Sequence, residues 1–155
     1  MKIAIIVYSY TGNTLFAANR LKEKLETSGH IVTLDSIKAK DENPNVTQVE
    51  LTVIPDPTGY DRIILASPVR GFQVSPIMKA YLSQWPLLKD KPVATMVTHA
   101  FPFEWMGGKT AIKMMNDLVL AKQAKPVVSA IVNGGKKEAD LVKMVERLSD
   151  EANWA

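Results

Sequence analysis

The chain of 155 residues contains no cysteine. It can therefore have no disulfide framework, thiolate zinc site, cysteine-ligated iron–sulfur cluster or nucleophilic thiol of the cysteine-loop phosphatase type. Any redox chemistry would have to ride on a borrowed cofactor. No apolar run approaches the roughly 18 residues that cross a bilayer, and the apolar opening Ile3 to Tyr8 is too short for a signal-peptide core. The expectation is a cytoplasmic protein with no membrane span. A strong excess of one charge is missing as well: 19 Lys and Arg face 16 Asp and Glu, a formal balance of +3. The cations are scattered and no aromatic ladder accompanies them, so no nucleic-acid partner is expected. With only 8 Gly and 9 Pro against 46% hydrophobic residues, the composition is that of an ordinary globular chain, read as one domain over residues 1–155.

Ile3 to Val7 is short, continuously apolar and β-branched, which suits a strand buried on both faces of a parallel sheet. From Thr14 to about Thr27 the residues Ala18, Leu21 and Leu25 recur at helical spacing, and Ser28-Gly29 supplies the stop. Further strands read at Ile31–Leu34, Ile63–Ala66, Val93–Val97 and Val127–Val132. A second helix is capped by Ser75 with Pro76 at its first position, and carries Ile77, Met78, Tyr81, Leu82 and Trp85 on one face. A third starts near Gly108 with Ala111, Met115 and Leu118 inward; a fourth carries Leu141, Val145 and Leu148. Strict alternation of five strands with helices predicts an α/β fold, a doubly wound parallel sheet with helices on both faces. Ligands of such sheets sit at the strands' carboxyl ends. Residues 37–60, broken by Pro44, Pro55, Pro57 and Gly59, stay unassigned, with room for a short strand within Val46–Ile54.

The chemistry concentrates in Ser9-Tyr10-Thr11-Gly12-Asn13-Thr14, which leaves the first strand and opens the first helix. Such a turn presents backbone N–H donors at the positive end of a helix, and the hydroxyls of Ser9, Thr11 and Thr14 add more. It holds no lysine, as a nucleotide-hydrolysing loop would, and no Gly-x-Gly-x-x-Gly. No acidic pair follows the first strand, which argues against a receiver domain. Gly108-Lys109-Thr110 has the ending of a P-loop, but Phe103 stands where its first glycine belongs. Neutral donors suit a terminal phosphate that is held rather than transferred.

The pattern Ser/Thr-x-Thr-Gly-x-Thr after a first apolar strand resembles the phosphate-binding signature of flavodoxins, matched from Ser9 to Thr14. Length and element order are also similar to a short-chain flavodoxin. The resemblance implies the three-layer, five-stranded sheet of order 2-1-3-4-5, with FMN as cofactor. It further implies that the loop Ser67-Pro68-Val69-Arg70-Gly71-Phe72 lies along the isoalloxazine ring, where a carbonyl must turn toward flavin N5. Gly71 lowers the cost of that rotation, with the Arg70–Gly71 peptide as the candidate. Ser67 to Arg70 also looks like the matching loop of quinone reductases of the tryptophan-repressor-binding-protein type, although Gly71-Phe72 departs from that family's order. The loop after the fourth strand, from Thr98 and His99 onward, is implied to cover the pyrimidine side. Its aromatics are stacking candidates, Phe101 or Trp105. His99 has two readings, a flavin contact or proton relay and a packing residue.

The implied function is electron transfer, with bound FMN cycling among oxidised, semiquinone and hydroquinone forms and redox partner proteins docking at the exposed flavin edge. Flavodoxins are typically acidic, whereas this chain is net positive. That difference keeps open an FMN-dependent NAD(P)H or quinone oxidoreductase on the same fold. A flavodoxin-like domain that binds without turnover is the non-redox alternative.

Overall fold

The structure is a computed structural model that describes residues 1–43, 45–99, 107–133 and 137–155. In chain order its elements are β1 (Lys2–Val7), α1 (Asn13–Thr27), β2 (Ile31–Ser36), β3 (Lys38–Ala39), β4 (Leu51–Val53), β5 (Arg62–Arg70) and β6 (Gln73–Val74). These are followed by α2 (Pro76–Ser83), β7 (Pro92–His99), α3 (Gly108–Ala121), β8 (Lys125–Asn133), α4 (Glu138–Ser149) and a closing 3₁₀ turn (Glu151–Trp154). The parallel sheet runs β2-β1-β5-β7-β8. Counted as five parallel strands, this is the expected order 2-1-3-4-5. β2 and β8 are its edges.

The continuous apolar runs are explained by two cores. Alternate residues of one strand, such as Ile63 and Leu65, join Ala4, Ile6 and Val97 beneath α2 and α3. Their neighbours Ile64 and Ala66 join Ile3, Ile5 and Met96 beneath α1 and α4. β1, β5, β7 and β8 thus feed both layers, as a sheet covered on two faces requires, whereas the edge strand β2 turns Val32 and Leu34 to one of them only. The helices keep their expected faces with one-step shifts. Val119 rather than Leu118 is fully buried on α3, and Met144 joins Leu141 and Leu148 on α4, with Val145 only partly covered. Ser75 Oγ accepts from the Ile77 N–H at 3.1 Å, as its capping position predicts.

The unassigned stretch contains the two-stranded antiparallel pair β3-β4, with β4 inside the 46–54 window. Tyr81 Oη donates to Pro55 O at 2.6 Å, tying this excursion to α2. The larger difference concerns β5, which does not end at Ala66. It runs through Ser67 and Pro68, paired with Val97 and Thr98, and then turns back at Gly71-Phe72 to pair antiparallel with β6. The pairing with β1 stops at Val7↔Ala66. Beyond it one side of β5 has no β1 neighbour, the setting in which a strand tolerates proline. Among the described residues no helix is long and apolar enough to cross a membrane.

Candidate flavin site at the carboxyl end of the sheet

β1, β5 and β7 end side by side, and their carboxyl termini open onto a cavity of about 280 Å³ lined by Thr11, Asn13, Pro68, Val69, Arg70, Thr98 and His99. Seven of the expected site residues are thereby brought to one place from three segments. Others lie beneath or beside it. Ser9 Oγ accepts from the N–H groups of Gly12 and Leu15, both at 3.2 Å. It caps the turn rather than facing the cavity. Thr14, 1% exposed, is bonded to Thr98 through their hydroxyls at 2.7 Å, clamping the start of α1 to the end of β7. Ser67 is buried, its hydroxyl donating to Pro68 O at 3.1 Å. Phe101 and Trp105 lie outside the described residues.

α1 opens from Gly12 with no side-chain cap on that residue. Among the described residues, the backbone N–H groups of Thr11, Asn13 and Thr14 meet no acceptor. Unpaired donors at the positive end of a fifteen-residue helix make a ready anion cradle. Across the cavity, His99 is 5% exposed, and neither ring nitrogen has a partner among the described residues. A buried imidazole without bonds costs about 1–3 kcal/mol, which a ligand offering a donor or acceptor would recover. The residues present therefore fit a flavin mononucleotide in two independent respects, phosphate cradle and orphaned polar ring.

Two further contacts shape the mouth. The Arg70 guanidinium lies 4.7 Å from the centroid of the Tyr10 ring, joining the phosphate-type loop to the β5-β6 hairpin. Below it, Tyr8 is buried, and burial, followed by the nearby Glu42 charge, pushes its hydroxyl pKa up to about 12, opposed by Arg70. It stays protonated. The hairpin turn itself carries strain: Gly71 has φ 55° and Phe72 φ 62°, both left-handed as the tight type I′ turn requires. Glycine adopts this freely, phenylalanine at a cost of about 1 kcal/mol. The peptide whose rotation returns Phe72 to negative φ is Gly71–Phe72.

Gly107, which the sequence reading passed over, is fixed by this turn. A Cβ placed on it would lie 2.5 Å from Phe72 Cα, and its φ is 109°. The start of α3 thus presses directly on the hairpin tip. The signal in the sequence was the pair Gly107-Gly108 ahead of a helix.

The flavodoxin domain family matches residues 4–148. The chain belongs to the flavodoxin domain family. Membership implies a flavin cofactor, typically FMN. No curated protein sequence matches significantly. Among solved structures, oxidised flavodoxin 2 from Bacillus cereus is similar, with 22% identity over 94% of each chain and a TM-score of 0.69. The flavodoxin of Streptococcus pneumoniae TIGR4 shares 18% identity over 96% of this chain and 98% of its own, at 0.68. A flavodoxin, WrbA-like protein from Agrobacterium tumefaciens shares 15% over 98% and 94%, at 0.71. At these identities the likeness is one of fold.

Proposed function

We propose that this flavodoxin-family chain binds FMN in the cavity between the Ser9–Thr14 loop, the β5-β6 hairpin and the end of β7, and serves as an electron carrier. The observation that carries the reading is the convergence of Thr11, Asn13, Arg70, Thr98 and His99 on one cavity, beside helix N–H groups that have no acceptor. Bound FMN supplies one- and two-electron redox chemistry; the chain supplies binding and charge. The N–H groups of Thr11, Asn13 and Thr14 and the Thr11 hydroxyl hold the phosphate. Ser9 and the Thr14–Thr98 bond keep that loop in shape. Val69, Arg70, Gly71 and Phe72 border the ring, with Arg70 held by Tyr10 and favouring extra negative charge on its neighbour. His99 offers a ring nitrogen at the cavity's inner wall. Redox partner proteins would dock at the cavity rim, and a cytoplasmic location follows from the same reading.

The test is the visible spectrum of the purified protein with one equivalent of FMN, followed by stepwise anaerobic reduction. Quenched, shifted flavin absorption and two separable one-electron stages are expected. Unchanged free-flavin absorption overturns the reading. The net charge of +3 favours one second reading, an FMN-dependent NAD(P)H or quinone oxidoreductase. Direct bleaching by NADPH in a single two-electron stage would select it.

A further inference from the structure

A second cavity, about 380 Å³, lies along the edge strand β8 where α3 and α4 overhang it from the two faces of the sheet. Its apolar lining comes from Ile112, Ile131 and Met144. Among the described residues its charged lining is Lys109, Lys143 and Arg147 with the carboxylate of Asp140, and the two cations that bear on binding are Lys143 and Arg147. Lys143 and Arg147 are one helical turn apart on α4, a spacing at which like charges repel. Among the described residues Lys143 has no ion pair, and the Arg147 side chain makes only one bond, donated by its Nε to Ser129 O at 2.6 Å.

That bond aims the guanidinium. Ser129 is itself held from the core side, its hydroxyl bonded to Thr95 Oγ1 at 2.7 Å and accepting from Asn116 Nδ2 at 3.3 Å. Thr95 in turn donates to Asn116 Oδ1 at 2.8 Å. A clamped carbonyl thus fixes Arg147 at its Nε, and among the described residues its two terminal nitrogens have no partner in the groove that Lys143 also lines. A planar pair of donors and an ammonium on the same groove suit the oxygens of a phosphate, whose negative charge two cations favour. The volume lies in the range of small-molecule sites, and the apolar lining can cover a flat ring.

We propose that the β8 groove binds a phosphomonoester carried on a flat apolar body, the chemistry of a mononucleotide, independently of the site between β1, β5 and β7. The test is calorimetric titration of FMN-saturated protein with 5′-AMP, so that the Ser9–Thr14 loop is already filled. One saturable site is expected, with adenosine and inorganic phosphate each bound at least about tenfold more weakly than AMP. Lys143→Glu, at an exposed position with no bond to lose, should weaken AMP about tenfold or more. Arg147→Gln should do the same. No saturable heat, a Lys143→Glu variant that binds like the parent, or inorganic phosphate binding as tightly as AMP would each overturn the proposal. None of these results touches FMN binding, and failure to take up FMN would leave the groove to be titrated in the same way.

Discussion

Arg62 opens β5 and Arg70 closes it, and each lies over an aromatic ring, Trp154 at 4.8 Å and Tyr10 at 4.7 Å. There the likeness stops. Arg62, 8% exposed, gives two bonds to the carboxylate of Glu151, at 3.0 and 2.6 Å, and Trp154 Nε1 donates to Leu148 O. The closing 3₁₀ turn is thereby latched to the amino end of the sheet, with its polar groups paired. Arg70 meets no carboxylate among the described residues, and around it gather the orphaned His99, the unpaired N–H groups of α1 and the left-handed Phe72. One strand therefore ends in stability at one side and in stored, unpaired polarity at the other, the pattern expected where a ligand completes the structure.

The strongest challenge to that division is Gly107→Ala, because Gly107 serves both packing and site. Its Cβ would collide with the backbone of Phe72 and sit at φ 109°. A loss of about 2–4 kcal/mol is expected in urea unfolding, with weaker FMN binding in the same variant. Arg62→Ala should follow, at about 2–3 kcal/mol, for two charge-assisted bonds and a ring contact. The figure stays below that of a stranded buried charge because the side chain of Glu151 is 57% exposed. FMN affinity should not move. A joint loss of both in Arg62→Ala would show that the two ends are not separable.

Features carried by local pattern were legible in the sequence. The alternation of apolar runs with helical periodicities pointed to a doubly wound parallel sheet, its strand order came with the resemblance carried by Ser9–Thr14, and that loop needs only its neighbours to form a turn at a helix start. What escaped is made by contacts between distant segments. Tyr10 under Arg70, Thr14 on Thr98 and Gly107 against Phe72 have no periodicity to announce them. The strand was expected to end at Ala66, with Pro68 in the loop beyond it; that the strand continues through Pro68 depends on where β1 stops, a fact of the sheet and not of the residue. Two-residue strands such as β3 and β6 are likewise too short to show a pattern.

At the carboxyl end, two threonines separate binding from folding. Thr11 lines the cavity, so Thr11→Ala should weaken FMN by about 1–3 kcal/mol and leave the unfolding midpoint unchanged. Thr14 is spent on Thr98, so Thr14→Val should lower stability as well as affinity, by leaving a buried hydroxyl without its partner. An effect of Thr11→Ala on stability alone would remove it from the phosphate cradle.

At the amino end the smaller test is acid. The bonds from Arg62 hold Glu151 below its usual carboxylate range. A depressed folded pKa contributes stability that is full above the unfolded value of 4.5 and is lost as pH falls through the folded value. Because Glu151 is largely exposed, solvent screening limits the effect to less than about 1 kcal/mol. Unfolding midpoints compared between pH 6 and pH 3 should therefore fall slightly more for the parent than for Glu151→Gln. Equal slopes would mean that the latch works through Trp154 and packing alone.

The smallest effect belongs to Arg70, and it reads out in potential rather than in folding. For a unit charge about 10 Å from the ring at an effective dielectric of about 40, the interaction with an added electron is on the order of 0.8 kcal/mol, a few tens of millivolts for a one-electron couple. Arg70→Ala should make the FMN potential more negative by that amount, since a cation favours the reduced, more negative flavin. Its contact with Tyr10, which is 49% exposed, adds no more than about 0.5–1 kcal/mol to stability. Arg70→Lys preserves the charge and weakens the stacking on Tyr10, so it should keep most of the potential while loosening the mouth. If Arg70→Ala instead destabilised the fold as much as Arg62→Ala while leaving the potential alone, both arginines would be latches, and the contrast between the two ends of β5 would fail.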